Sequence, residues 1–207
     1  MSQTEILFVT RLYCATLKGR GTRTLNVALD QAAQVLAADD AAGQSWSATH
    51  GYGGYTSYAS LNDLPWRFPE FAELQQHLDV HVSRFASELE LDLGDRSLIL
   101  DSLWVNVLAP GGHHSAHIHP HAAISGTYYV TVPDRAGAIR FEDPRLSQMM
   151  AAPPRTVNAD RVNRNFVSVS PKAGQVLLWE SWLRHEVPVN NADSERISIS
   201  FNYRWGE

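Results

Sequence analysis

Cysteine is almost missing: Cys14 is the only one in the chain, which excludes an internal disulfide and any zinc site built from thiolates. Set in "ILFVTRLYCATL", it reads as a small apolar filler in an opening strand. Runs of lysine or arginine are missing too. With 17 basic against 22 acidic residues the formal charge is −5, which argues against a nucleic-acid or anionic-membrane surface. No apolar stretch approaches the ~20 residues that span a bilayer. No basic segment precedes an apolar run at the N-terminus, so the chain is expected to carry no signal peptide and to be cytoplasmic. Neither an internal repeat nor a low-complexity linker interrupts it. The 207 residues, 44% of them hydrophobic, are expected to form one domain over 1–207.

What is present changes character half-way. Residues 1–97 read as mostly helical support and 98–207 as a β core. In "TLNVALDQAAQVLAADDAAG", Leu25, Leu29, Ala32 and Leu36 recur at helical spacing, with Gly43 closing the run. "SATHGYGGYTSY" reads as a glycine- and tyrosine-rich loop, and its glycines lack the strand-and-helix setting of a phosphate loop. The strongest helix is "FPEFAELQQHLDVHVSRFASELEL": Pro69 suits its first turn, and Phe71, Leu74, Leu78, Val82, Phe85 and Leu89 form one stripe. His77 and His81 flank that stripe without the glutamate of H-E-x-x-H, and read as surface residues. From Leu98 the period becomes two. "SLWVNVL", "GTYYVTVP", "GAIRFED", "FVSVSP", "QVLLWE" and "RISISFNY" predict an antiparallel sandwich or barrel with the helices on one face. Residues 144–165 lack a period and read as a long loop over its mouth.

"HHSAHIHPH", residues 113–121, holds five of the nine histidines. In an extended segment His117, His119 and His121 face one side, and two imidazoles at i, i+2 can converge on one cation. His185, in "ESWLRHEV", is the only histidine further downstream and the candidate third member. In "ERISISFNY", Arg196, Ser198, Ser200 and Asn202 share one face, and Ile197, Ile199, Phe201 and Tyr203 the other. Helices need an apolar sheet face to cover, and the isoleucine side supplies it. The polar face is then expected to look into the sandwich, with Arg196 one strand away from the histidines. A guanidinium placed there needs a partner, and its planar fork matches a carboxylate.

The succession H-x-H-P, "SGTYYV", "GAIRFEDPR", P-x-x-G-x-V-L-L leading to "LRHEV", and "ERISISFN" resembles the iron(II)- and 2-oxoglutarate-dependent oxygenase superfamily. The resemblance covers about Trp104 to Asn202, and more weakly "SYASLNDL" with its following helix. It implies a double-stranded β-helix, a jelly roll of cupin-like form flanked by helices, with Fe(II) as metal and 2-oxoglutarate as cosubstrate. It makes His117 the first metal ligand and His185 the distal one. Arg196 would hold the far carboxylate of 2-oxoglutarate, with a hydroxyl from Ser198. Tyr128 or Tyr129 would lie against the cosubstrate; alternation lets one face inward, and Tyr129 is preferred. Asn106 either lines the cavity or serves the fold.

One position departs from the pattern. The usual triad is two histidines and a carboxylate, but His119 stands at the second place and leaves the site one unit more positive. Glu142 and Asp143 are the carboxylates weighed instead; His113, His114 and His121 are assigned to the surroundings. The implied activity is hydroxylation of an unidentified small-molecule or peptide substrate, releasing succinate and CO2. Two other readings stand beside it: a cupin-like three-histidine metalloenzyme without 2-oxoglutarate, and a non-catalytic metal-binding jelly-roll module. Substrate contacts are expected from "GYGGYTSY" and 144–165, with Tyr55, Arg155, Arg161 and Arg164 as candidates. Sheet edges of this kind often pair across two-fold axes, which leaves a homodimer open.

Overall fold

Strand alternation in the second half of the chain builds two antiparallel sheets, and helices from the first half cover one of them. The computed structural model describes residues 2–19 and 21–206. Strand β1 (Tyr13–Thr16) leads to helices α1 (Thr22–Asp39) and α2 (Ala41–Thr49), strand β2 (Gly54–Thr56), and helices α3 (Leu64–Arg67) and α4 (Pro69–Glu88). Eight strands follow: β3 (Leu98–Leu108), β4 (His114–His117), β5 (Ile124–Thr131), β6 (Ile139–Glu142), β7 (Phe166–Val169), β8 (Gln175–Glu180), β9 (His185–Val187) and β10 (Arg196–Trp205). The major sheet has the order β1-β8-β5-β10-β3-β2 and the minor sheet β4-β9-β6-β7. Facing each other, they make the double-stranded β-helix.

The outer face of the major sheet carries the main core. Ile197, Ile199, Phe201 and Tyr203 of β10 pack with Leu25 and Leu29 of α1 and with Phe71, Leu74, Leu78, Val82 and Phe85 of α4. Ile199 and Phe201 are fully buried, each contributing roughly 1.5–3 kcal/mol. Gly126 of β5 is required beneath this layer, because a Cβ there would lie 2.5 Å from the Phe201 ring. The inner face of β10 looks across to the minor sheet, as its alternation predicted.

The N-terminal half departs from expectation in several places. The first helical run is two helices, because the Asp40 side chain accepts from the Gly43 backbone N–H at 3.0 Å and caps α2. Gly43 therefore lies inside the second helix, and Ala33 rather than Ala32 completes the buried stripe of α1. The opening strand shrinks to four residues, with Ile6, Leu7, Phe8 and Val9 exposed. Cys14 points outward from this edge strand and fills nothing. "GYGGYTSY" contains β2, whose Gly54 has φ +141° and comes so close to β3 that a Cβ would meet the Val107 carbonyl. Tyr55 is buried there and donates to Asp40 at 2.9 Å, so it is not a free substrate contact. His81 is half-buried, its Nδ1 2.8 Å from the Tyr13 hydroxyl. Arg155, Arg161 and Arg164 lie exposed in the long loop, outside the cavity between the sheets. No helix among the described residues is long and apolar enough to cross a membrane.

Candidate metal centre

Strand register creates the first half of the centre. β4 and β9 pair with His117 opposite His185, and their rings lie 4.4 Å apart between centroids. His119 follows two residues later, its backbone N–H held by the Ser181 carbonyl at 3.0 Å. Its ring stacks parallel to that of His185 at 5.1 Å, with an interplanar angle of 5°. One ligand atom from each histidine lies within 4.8 Å of those from the other two.

The hydrogen bonds behind the rings fix which nitrogen faces inward. His185 Nδ1 is 2.9 Å from the Leu183 carbonyl, and His117 Nδ1 is 2.7 Å from the Ser115 carbonyl. A carbonyl can only accept, so each Nδ1 carries the proton and each Nε2 presents a lone pair. His119 Nε2 stands 3.3 Å from His185 Nε2. Burial lowers the His185 pKa to about 3 and that of His119 to about 4, which keeps both rings neutral and able to ligate. Trp179 packs edge-on against His185 at 4.7 Å and holds its orientation. Three imidazole nitrogens converging in this way fit a divalent transition metal.

The opposite wall belongs to the major sheet. A cavity of about 390 Å3 separates the histidines from Arg196, Ser198, Ser200 and Asn202 of β10, Tyr129 of β5 and Asn106 of β3. Arg196 is only 2% exposed, and among the described residues no carboxylate pairs with it. Its Nε, the Tyr129 hydroxyl and Trp179 Nε1 are all buried without a hydrogen-bond partner among the described residues. Taking an unpaired guanidinium out of water costs several kcal/mol. Three orphaned donors around one space fit an anion with several acceptor oxygens.

Arg196 thus sits across the cavity from the histidines, in the facing sheet. His121 turns outward at φ +69° after Pro120 and leaves the line of His117 and His119. Tyr128 faces the helices, donating to Asn26 at 2.8 Å, whereas Tyr129 lines the cavity. Asn106 serves both purposes: it accepts from Thr56 at 2.8 Å and donates to Ser200 at 3.1 Å while lining the wall. Glu142 pairs with Arg184 at 3.2 Å and Asp143 with Arg145 at 2.9 Å, both outside the cavity.

Tyr52 and Tyr58, from the "GYGGYTSY" segment in which substrate contacts are expected, line the cavity, as do Trp46 and Trp104, which the sequence does not single out. His114, assigned only to the surroundings, also enters the wall; its Nε2 is 2.6 Å from the Tyr52 hydroxyl, and burial lowers its pKa to about 3. Of the two tryptophans, only Trp104 left a signal, through its alternation with Asn106 in "LWVNV".

Residues 102–202 match the family described as "Putative 2OG-Fe(II) oxygenase". The β core belongs to the 2OG-Fe(II) oxygenase superfamily. Solved structures agree on the fold of this oxygenase core. A Pseudomonas putida prolyl-4-hydroxylase is 16% identical with a TM-score of 0.61, covering 94% of this chain and 93% of that one. HygX from Streptomyces hygroscopicus, solved with nickel and 2-oxoglutarate bound, is 13% identical with a TM-score of 0.57, covering 94% and 82%. The epimerase SnoN in complex with Fe3+, alpha ketoglutarate and nogalamycin RO is 16% identical with a TM-score of 0.59, covering 94% and 79%. The chain spans about half, 47%, of an oxidoreductase of the 2OG-Fe(II) oxygenase family from Burkholderia pseudomallei, with a TM-score of 0.42. A comparison with curated protein sequences gives no match. The matched segment of the oxygenase contains His117, His119, His185, Arg196, Ser198, Tyr129 and Asn106; Trp46, Tyr52 and Tyr58 come from outside it.

Proposed function

We propose that this oxygenase uses Fe(II) and 2-oxoglutarate to hydroxylate a small-molecule or peptide substrate. His117, His119 and His185 would hold the iron. Arg196, helped by Ser198 and the Tyr129 hydroxyl, would bind the far carboxylate of 2-oxoglutarate. When bound, the metal and cosubstrate supply the oxidising chemistry: O2 and 2-oxoglutarate become succinate and CO2, and a substrate C–H becomes C–OH.

The protein's part is orientation and charge. The Ser115 and Leu183 carbonyls hold two imidazoles with their lone pairs inward. The Thr56–Asn106–Ser200 chain makes a hydrogen-bonded polar strip on the major-sheet wall of the cavity. Ile139 and Val187 of the minor sheet and Trp179 of β8 in the major sheet add apolar lining to the cavity. Three neutral ligands leave the metal its full double charge, which attracts a dianion more strongly than a site with one carboxylate ligand would. The observation that carries the reading is Arg196, a buried and unpaired guanidinium facing the three imidazoles across one cavity. The bound metals and cosubstrate named for HygX and SnoN support it.

The test begins with iron and 2-oxoglutarate added without oxygen, where a new visible absorption band is expected. Admitting oxygen should release succinate, and Arg196→Ala should abolish both at equal protein. A cupin-like metalloenzyme without 2-oxoglutarate would bind iron yet ignore the Arg196 change, and a non-catalytic module would give no succinate at all.

A further inference from the structure

Three aromatic side chains line one part of the cavity: Trp46 on α2, Tyr58 just beyond β2, and Trp104 on β3. Tyr58 meets Trp46 at 6.1 Å and 62°, and Trp104 at 5.2 Å and 69°, so the rings form two successive corners. Trp104 continues inward to stack against His119 at 5.9 Å. His50 covers a face of Trp46 at 4.2 Å, which helps hold that ring in place. Ile118 and Pro120 supply further apolar lining.

Such a corner can receive either a neutral ring, through stacked and edge contacts, or an organic cation. The charge inventory decides between them. Among the described residues no aspartate, glutamate or lysine lines the cavity, and Arg196 is the one permanently charged side chain that does. With a divalent ion (+2), Arg196 (+1) and a cosubstrate dianion (−2), the occupied site keeps a net charge of +1. An ammonium group would be repelled and find no carboxylate. A second carboxylate would find no further arginine or lysine. We infer that Trp46, Tyr58 and Trp104 form the prime-substrate subsite and that it takes an uncharged, ring-bearing group, leaving any charge of the substrate outside the cavity. This rests on the oxygenase reading, since the charge count includes its metal and cosubstrate.

The experiment uses protein loaded anaerobically with iron and 2-oxoglutarate, and three rings of matched size: benzyl alcohol, benzylammonium and benzoate. Ligand-observed NMR titration gives each affinity, and the 2-oxoglutarate absorption band confirms loading beforehand. Benzyl alcohol should bind at least tenfold more tightly than either charged ring. Tyr58→Ala or Trp46→Ala should weaken it about tenfold, near the upper end for one aromatic partner, while Tyr58→Phe should bind like the parent. Equal or tighter binding of a charged ring, no binding of any ring, or indifference to both alanine changes would overturn the inference while the band still forms. Absence of the band in the parent protein would instead overturn the oxygenase reading, and this inference with it.

Discussion

Replacing Arg196 by methionine should raise stability and lower cosubstrate affinity at once. Arg196 is 2% exposed, its Nε has no partner among the described residues, and its guanidinium lies over the Tyr129 ring at 5.2 Å. An unpaired charge so placed costs several kcal/mol. Methionine keeps much of the packing and removes the charge, so the ligand-free protein should gain about 2 kcal/mol. For a chain of this size that is roughly 4–8 °C in Tm. The same change removes the charge-assisted bonds to 2-oxoglutarate, together about 3 kcal/mol, or roughly two powers of ten in Kd. At a concentration a hundred times the parent Kd, the ligand should stabilise the parent by about 2.7 kcal/mol and the variant by only about 0.4 kcal/mol. Thermal denaturation of iron-loaded, anaerobic protein, with and without 2-oxoglutarate, reads both effects. The variant should melt higher without ligand, and the two proteins should converge with it. A variant that melts lower in the absence of ligand, or gains as much from 2-oxoglutarate as the parent, would refute the reasoning.

His185→Ala should reduce bound iron from about one per chain to near zero by elemental analysis, whereas Glu142→Gln should leave it unchanged, because Glu142 is committed to Arg184 outside the cavity. Metal-free protein should lose stability as pH falls from 6.5 toward 4. His185, His114 and His119 have folded pKa values of about 3, 3 and 4, so the unfolded chain takes up their protons first. Each imidazole should contribute at most ~1.4 kcal/mol per pH unit, and a flat urea midpoint between pH 6.5 and 5 would contradict this. Gly126→Ala should cost about 1–3 kcal/mol, read as a lower urea midpoint, because its methyl meets the Phe201 ring and Leu178.

The parts legible in the sequence were those encoded by local period. Alternation in "ERISISFNY" separated the core face from the cavity face, and H-x-H spacing placed His117 and His119 on one side. Pairing between distant strands was not legible in that way. Alternation turns Arg196 into the sandwich, but it assigns a face without assigning a sheet, and β10 and β9 lie in different sheets. His121 fell out of line because the chain turns after Pro120, where a positive φ ends the extended run. Trp46 is not singled out, and within "GYGGYTSY" the sequence does not separate Tyr52 and Tyr58, which line the cavity, from Tyr55, which does not, because nothing in the α2–β2 segment states that β2 will dock on β3. The Gly54 contact that permits this docking is visible only with both strands in place.

The division of labour between the sheets has a mechanical consequence. His117 and His185 belong to one leaf of the sandwich and Arg196, Ser198 and Tyr129 to the other. A molecule gripped at both ends would fasten the leaves together like a rivet. Metal alone would tighten only the smaller leaf; the second component would add resistance to prying the two apart. Under force or protease, the doubly loaded protein should therefore fail as one piece, where the empty one sheds its smaller leaf first.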